Sequence, residues 1–396
     1  PHAAGRRVAA AYEAALAERP WLRTFDREAV YDGEPLTIEQ ALSGLCDVGD
    51  WRGCDEPPAD RAAVRRWLAR HRELLRRYRD LRGYPHFTET LTPGLAAPFA
   101  AWSGKAQRLW LASLARGRRD APRAVVERLL RDIGFWRTVM AESRWLIDKM
   151  TARAFVQRDL AVLASAVAEA ELGDAALESI GRELVPLSAR ERALSATVWT
   201  EFRMTAQTMR HLERGSEETC GIFSAPVPPA ECSIIDRAKL SLVHLFYQPR
   251  ASINLAHRRW GRIAAAVDAP PAQALERLAA LVDVSVPRVE RYYYNPVGRL
   301  FNDVAWLGMD RYVARMANAD GLIRLVALQA ELARRAPDRE DVPAVLAGSG
   351  ARYRDSYTGA PMGWDADAAC LVFSARPGPG EKERSAHRAC LPERAS

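Results

Sequence analysis

Lysine is nearly missing from this 396-residue chain: of its 57 basic residues only Lys105, Lys149, Lys239 and Lys382 are not arginine. Arginine offers a planar, bidentate fork, so the bias fits carboxylate or phosphate recognition, and equally a GC-rich coding sequence. Basic residues exceed acidic ones by seven. That excess is spread along the chain and interleaved with acids, as at Glu73 and Asp80 within the arginine-rich stretch 65–82. Such interleaving reads as a solvated helix face and not as a nucleic-acid stripe. No run of eighteen apolar residues occurs, which excludes a helical membrane span within the sequence. There is no CxxC and no Cys–His cluster at ligand spacing, so no metal site is expected, and the lack of CxxCH excludes a c-type haem. A glycine-rich phosphate loop, a GxSxG elbow and an HExxH pair are all missing, and no cofactor is expected. Asp355, Asp365 and Asp367 lack the spacing of a calcium-binding EF-hand loop.

What is present is helical rhythm. Apolar residues recur at helical spacing over about 6–18, 37–45, 59–83, 95–116, 187–214, 233–246, 250–267, 271–283, 297–316 and 319–335. The stretch opened by Asp120 and Pro122 runs to Gly173, too long for one uninterrupted helix, and a break is expected near Gly134 or Thr151. No alternating run of any length precedes residue 350. The expected fold is therefore all-α, a bundle of roughly ten to thirteen helices. Its expected divisions are an N-terminal helical region (1–218), a C-terminal helical region packed on it (219–348), and a turn and short-strand cap with a tail (349–396). In that cap, RYRDSYTGAPMGWDADAACLVFSA (352–375), Asp355 is placed to bond the backbone ahead of it. Gly359 supplies a positive φ, and Pro361 fixes the exit. Met362 and Trp364 are expected to lie over a helix pair, with 371–373 as an edge strand.

The six cysteines fall in neighbouring twos: Cys46 and Cys54, Cys220 and Cys232, Cys370 and Cys390. Each two flank a segment rich in Gly, Pro or Asp, where a local cross-link pins a loop that lacks a core. Six cysteines allow fifteen connectivities, so local pairing is a preference among them. This usage points to an oxidising compartment, periplasmic or secreted. The chain also begins at Pro1 without methionine, which suggests that a signal or membrane anchor was removed upstream.

Candidate sites are few. Glu142 and Asp148, with Lys149, lie beside Trp145 and Leu146, surroundings that can raise a carboxyl pKa and suit it to general-acid work. An internal ion pair with an arginine explains the same residues. Tyr292, Tyr293, Tyr294, Asn295 and Arg299 combine apolar area, hydroxyls and directional charge, the makings of a recognition surface. A partial echo places Tyr247, Arg250 and Asn254 in a matching frame, FYQPRASIN (246–254) against YYNPVGRLFN (293–302). The two stretches can line one groove, or can share only the grammar of a proline-started helix.

The final hundred residues carry a resemblance. YYNPVGRLFND, an arginine-rich helix (321–335), a short helix and then YRDSYTGAPMGWD resemble uncharacterised bacterial exported proteins with an N-terminal membrane anchor, whose ending reads NPxGR … DPFTGxPxxW. The closing turn is similar to the C-terminal end of major pseudopilins of type II secretion. Ser356 stands where that pattern has proline, and the pseudopilin methylation segment is not in the sequence. The resemblance implies export and no particular chemistry. The expectation is a non-enzymatic exported scaffold or binding protein of the bacterial envelope. Its partner would be a protein or an envelope polymer, and it would meet the membrane only through a removed anchor. The alternative is a hydrolase or lyase of an envelope polymer, resembling lytic transglycosylases, with a helix-borne carboxylate at Glu142 or Asp148.

Overall fold

The structure is a computed structural model and describes residues 2–18, 25–31, 61–94, 97, 104–117, 121–169, 172–213, 246–282, 294–305, 308–376 and 386–392. It is mostly helical, with a small three-stranded sheet near the C-terminus, so the all-α expectation holds. Cys46, Cys54, Cys220, Cys232, Tyr292 and Tyr293 lie outside the described residues, as do the helices expected at 37–45 and most of 233–246.

Helices α1 (His2–Glu18), α2 (Arg27–Val30), α3 (Arg61–Arg70), α4 (Arg72–Leu81) and α5 (Gly104–Gly117) precede a long hairpin of α6 (Pro122–Glu142) and α7 (Leu146–Glu169). Then come α8 (Asp174–Glu183), α9 (Ala189–Arg192), α10 (Ser195–Glu213), α11 (Pro249–Val267), α12 (Pro271–Val282) and α13 (Pro296–Ala305). The central helix α14 (Met309–Arg335) and the short α15 (Val342–Ala347) lead to the cap strands β1 (Gly363–Asp365), β2 (Cys370–Ser374) and β3 (Ala386–Cys390). Four of these helices open on a proline, at 122, 249, 271 and 296, where the missing N–H has no intrahelical partner to lose.

α7 and α14 carry buried residues over most of their length, and α14 is buried almost throughout its middle. They pack against each other. α6 lies along α7, α8 and α12 flank α14, and α10 pairs with α11. One hydrophobic core runs from Tyr78 through these helices to Ala389 in β3. Among the described residues no helix is long and apolar enough to cross a membrane.

Three helix boundaries differ from expectation. The chain from Pro122 passes through Gly134 and Thr151 as helix and turns instead at 143–145. There the Glu89 carboxylate accepts the N–H groups of Arg144 (2.7 Å) and Trp145 (3.0 Å), orphan donors at the start of α7. The stretch 187–214 divides at Ala193–Leu194, where Asp268 accepts from Leu194 N (2.7 Å) and Ser195 N (3.1 Å). The helices expected at 297–316 and 319–335 regroup: Gly308, at φ +102°, separates α13 from α14, and α14 then runs unbroken through 317–318.

The cap follows its predicted turn. Asp355 Oδ1 accepts from Tyr357 N and Thr358 N at 2.8 Å each, and Gly359 sits at φ +69°. Met362 is buried. Residues 371–373, however, belong to the middle strand and not to an edge, because β3 adds antiparallel on its far side in the order β1-β2-β3. Cys370 and Cys390 face each other in that register and form a disulfide. Phe373 seats the sheet on α14 directly over Gly321, where a Cβ would come within 2.1 Å of the ring. Gln329 of α14 donates to Ala164 O of α7 (2.9 Å) and to Cys390 O (2.7 Å), joining both central helices to the cap.

Candidate functional site

The echoing prolines do bring their segments together. Asn295, in the left-handed region at φ +52°, accepts from Gln248 N (2.8 Å) and Gly298 N (3.2 Å) and donates to Ser252 Oγ (2.9 Å). Asn302 donates to Ser252 O and Gly298 O, so α11 and α13 start side by side. Asn295 is thus a buried buckle. Tyr247 is buried with its hydroxyl donating to Met209 O (2.8 Å). Arg250, Asn254 and Tyr294 are exposed, and Arg299 is half-buried.

Glu142 ends α6. Its carboxylate accepts the Phe87 N–H (2.6 Å), and His86 and Arg190 lie 3.5 and 3.6 Å away. The Phe87 hydrogen bond comes first among the effects that hold its pKa below the usual carboxylate value. This environment favours the ionised form, the opposite of what a general acid needs. Asp148 is buried in the first turn of α7, and Lys149 beside it donates its ammonium to Met140 O. Burial pulls Lys149 down to about 8.

A different place concentrates chemistry. Between α7, α10 and α14 lies a cleft of about 710 Å³, walled by Leu146, Ile147, Met150, Arg153 and Arg158 of α7, Glu201 and Met204 of α10, and Tyr312 and Arg315 of α14. Arg153 donates to Gln157 Oε1 (2.9 Å) and Arg158 to Gln107 Oε1 (3.0 Å). Arg315 lies over the Tyr312 ring at 5.3 Å. Among the described residues none of the three has a carboxylate within ion-pair distance. The Nε groups of Arg153 and Arg158 are buried without an acceptor. Burial, then the like charges of Arg315 and Arg158, bring Arg153 down to about 10. Arg153 and Arg158 are desolvated, Arg153 feels the like charges of Arg158 and Arg315, and such a cluster attracts an anion. Glu201, raised by burial despite its bond from Leu146 N, stands at the opposite end beside the first turn of α7.

Behind the cleft, Arg158 leads through Gln107 to a buried pair of acids. Gln107 Nε2 donates to Asp159 Oδ1 (3.0 Å), Tyr78 donates to Asp132 Oδ2 (3.0 Å), and Trp136 Nε1 donates to the Tyr78 hydroxyl (3.0 Å). Asp132 and Asp159 are fully buried and interact with each other, while Oδ1 of Asp132 and Oδ2 of Asp159 have no hydrogen-bond partner among the described residues. Burial is the first cause of both shifts: Asp132 is pushed up to about 6 and Asp159 further. Arg82, stacked on Trp110 at 3.9 Å, reaches Asp132 Oδ1 at 3.7 Å. Among the described residues no group of three or more His, Cys, Asp or Glu side chains is placed to hold a metal ion.

No family model, curated protein or solved structure matches this chain. The site therefore stands on its own geometry. The sequence did carry a signal for it. Arg158 and Asp159 interrupt FVQRDLAVLASAV, a run with no polar face, so a charge there must point into protein. Nothing in the sequence brings Arg315, more than 150 positions later, to the same cleft.

Proposed function

We propose that this chain is an exported, non-enzymatic binding protein of the bacterial envelope, and that it holds an anionic group of its partner in the arginine-walled cleft. The observation that carries the reading is the set Arg153, Arg158 and Arg315, in which Arg153 feels the charges of the other two and, among the described residues, no carboxylate lies within ion-pair distance of any of the three. A fold that needed these cations only for packing would pair them, as it pairs Arg137 with Glu191 at 2.6 Å. The Cys370–Cys390 disulfide and the likeness to anchored exported proteins support an oxidising compartment. The exposed face at Arg250, Asn254 and Tyr294 is the proposed contact for a protein or polymer carrying that anion.

Titration of inorganic phosphate into the protein by calorimetry tests the cleft. Binding should weaken at least tenfold in Arg153→Gln and in Arg315→Gln while the far-ultraviolet circular dichroism stays unchanged. Equal binding in wild type and variants would place the anion elsewhere, and no binding would remove the reading. Loss of partner capture from envelope extract in Tyr294→Ala and Arg299→Ala, with the fold intact, tests the outer face; unchanged capture in both would discard it.

A second reading, an envelope-polymer hydrolase or lyase, is favoured by one observation: Glu201 is a desolvated carboxyl with a raised pKa inside a cleft. If it holds, Glu201→Gln abolishes release of soluble fragments from peptidoglycan without lowering the melting temperature. Glu142→Gln, by contrast, should lower stability and leave any such activity unchanged.

A further inference from the structure

The cleft is polarised along α7. Leu146, Ile147 and Met150 line its beginning, Arg153 and Arg158 its end. From residue 146 to residue 158 the helix rises about 18 Å, a little over three turns, along which the lining passes from apolar to basic. Met204 adds to the apolar wall, and Ile147 is 49% exposed. Glu201 stands at that apolar end and would repel a second negative charge there.

We infer that the ligand is an amphiphilic anion, a single carboxylate or phosphate head between Arg153 and Arg315 with an aliphatic chain laid along Ile147, Met150 and Met204. This rests on the reading of the cleft as an anion site. Arginine forks fit either head group through paired N–H donors. The volume falls within the range of about 300–1,000 Å³ typical of small-molecule sites. A free fatty acid and the head of a monoacyl phospholipid share this chemistry.

Calorimetry with acetate, hexanoate, decanoate, decyl phosphate and decanol decides it. Affinity should rise roughly fourfold for each methylene buried, until the chain outgrows the cleft. Decanol should bind at least tenfold more weakly than decanoate, and Arg153→Gln should erase that difference. Ile147→Asp should flatten the chain-length series and leave acetate unaffected. A flat series in the wild type, with phosphate still bound, overturns the amphiphile and keeps the anion site. Decanol binding as tightly as decanoate overturns the charged head. Failure of every anion, phosphate included, removes both readings. A preference for decyl phosphate over decanoate assigns the lipid phosphate source, and the reverse assigns the free acid.

Discussion

Asp132 and Asp159 meet inside the core, and their burial sets the direction of their contribution to the protein's response to pH. Their folded pKa values lie above that of a free aspartate, so the folded state binds the proton more tightly than the unfolded chain. The stabilisation is complete below about pH 4, where a free aspartate protonates, and is lost as pH rises to 6 and beyond. Melting temperature should therefore fall across that window, and Asp159→Asn should flatten the fall. The amide keeps the acceptor for Gln107 and gives Asp132 a permanent donor, so at pH 8 the variant should be the more stable by about 1–3 kcal/mol. A steeper decline in the variant would show that the pair is not the titrating unit. Tyr78 and Arg82, which face Asp132, and Trp136, which donates to the Tyr78 hydroxyl, stay in place in this comparison. Arg153→Met makes a second test at this scale. Removing a desolvated cation beside two others should raise the melting temperature while anion binding is lost, a trade that a purely structural arginine would not show. These residues were only half legible in the sequence. A charge inside an apolar run announces burial, but not which other charge it meets.

Helix starts and stops divide by cause. Prolines at 122, 249, 271 and 296 fix their own starts, because a fixed φ and a missing N–H act within one residue. The turn at 143–145 is set from outside, by Glu89 of the loop after α4, and the break before α10 by Asp268 at the end of α11. Leu187 N is likewise held by Asp320 of α14 at 2.6 Å. A carboxylate reaching across the fold thus does the work a local Ser or Thr cap does elsewhere. Glu89→Ala should cost about 1–3 kcal/mol, measured by urea unfolding, since it leaves two N–H groups without an acceptor. Glu89→Gln keeps one carbonyl oxygen and should cost less. Equal losses would mean that the charge, and not the hydrogen bonds, holds the turn.

At the scale of the whole molecule the C-terminal sheet closes the bundle over α14 and α7. Two contacts decide whether it stays there. Gly321→Ala pushes a methyl into the Phe373 ring and should destabilise by about 1–3 kcal/mol, with recovery in the double variant carrying Phe373→Leu. No recovery would put the strain inside α14 itself. The Cys370–Cys390 bond ties the middle strand to β3 across 20 residues, and replacing both cysteines with serine should cost about 2–4 kcal/mol. Intact mass after alkylation without reductant should show this pair blocked. By itself the sequence determined the helical class, the proline-led helix starts, the Asp355–Gly359 turn and the nearness of Cys370 to Cys390. Each of these follows from bonds or periodicities spanning a few residues, or one short loop. The tertiary structure alone decided the turn at 143–145, the burial of Asp132 beside Asp159, and the meeting of Arg153, Arg158 and Arg315. Those depend on which distant side chain fills a buried space, and local pattern carries no record of that.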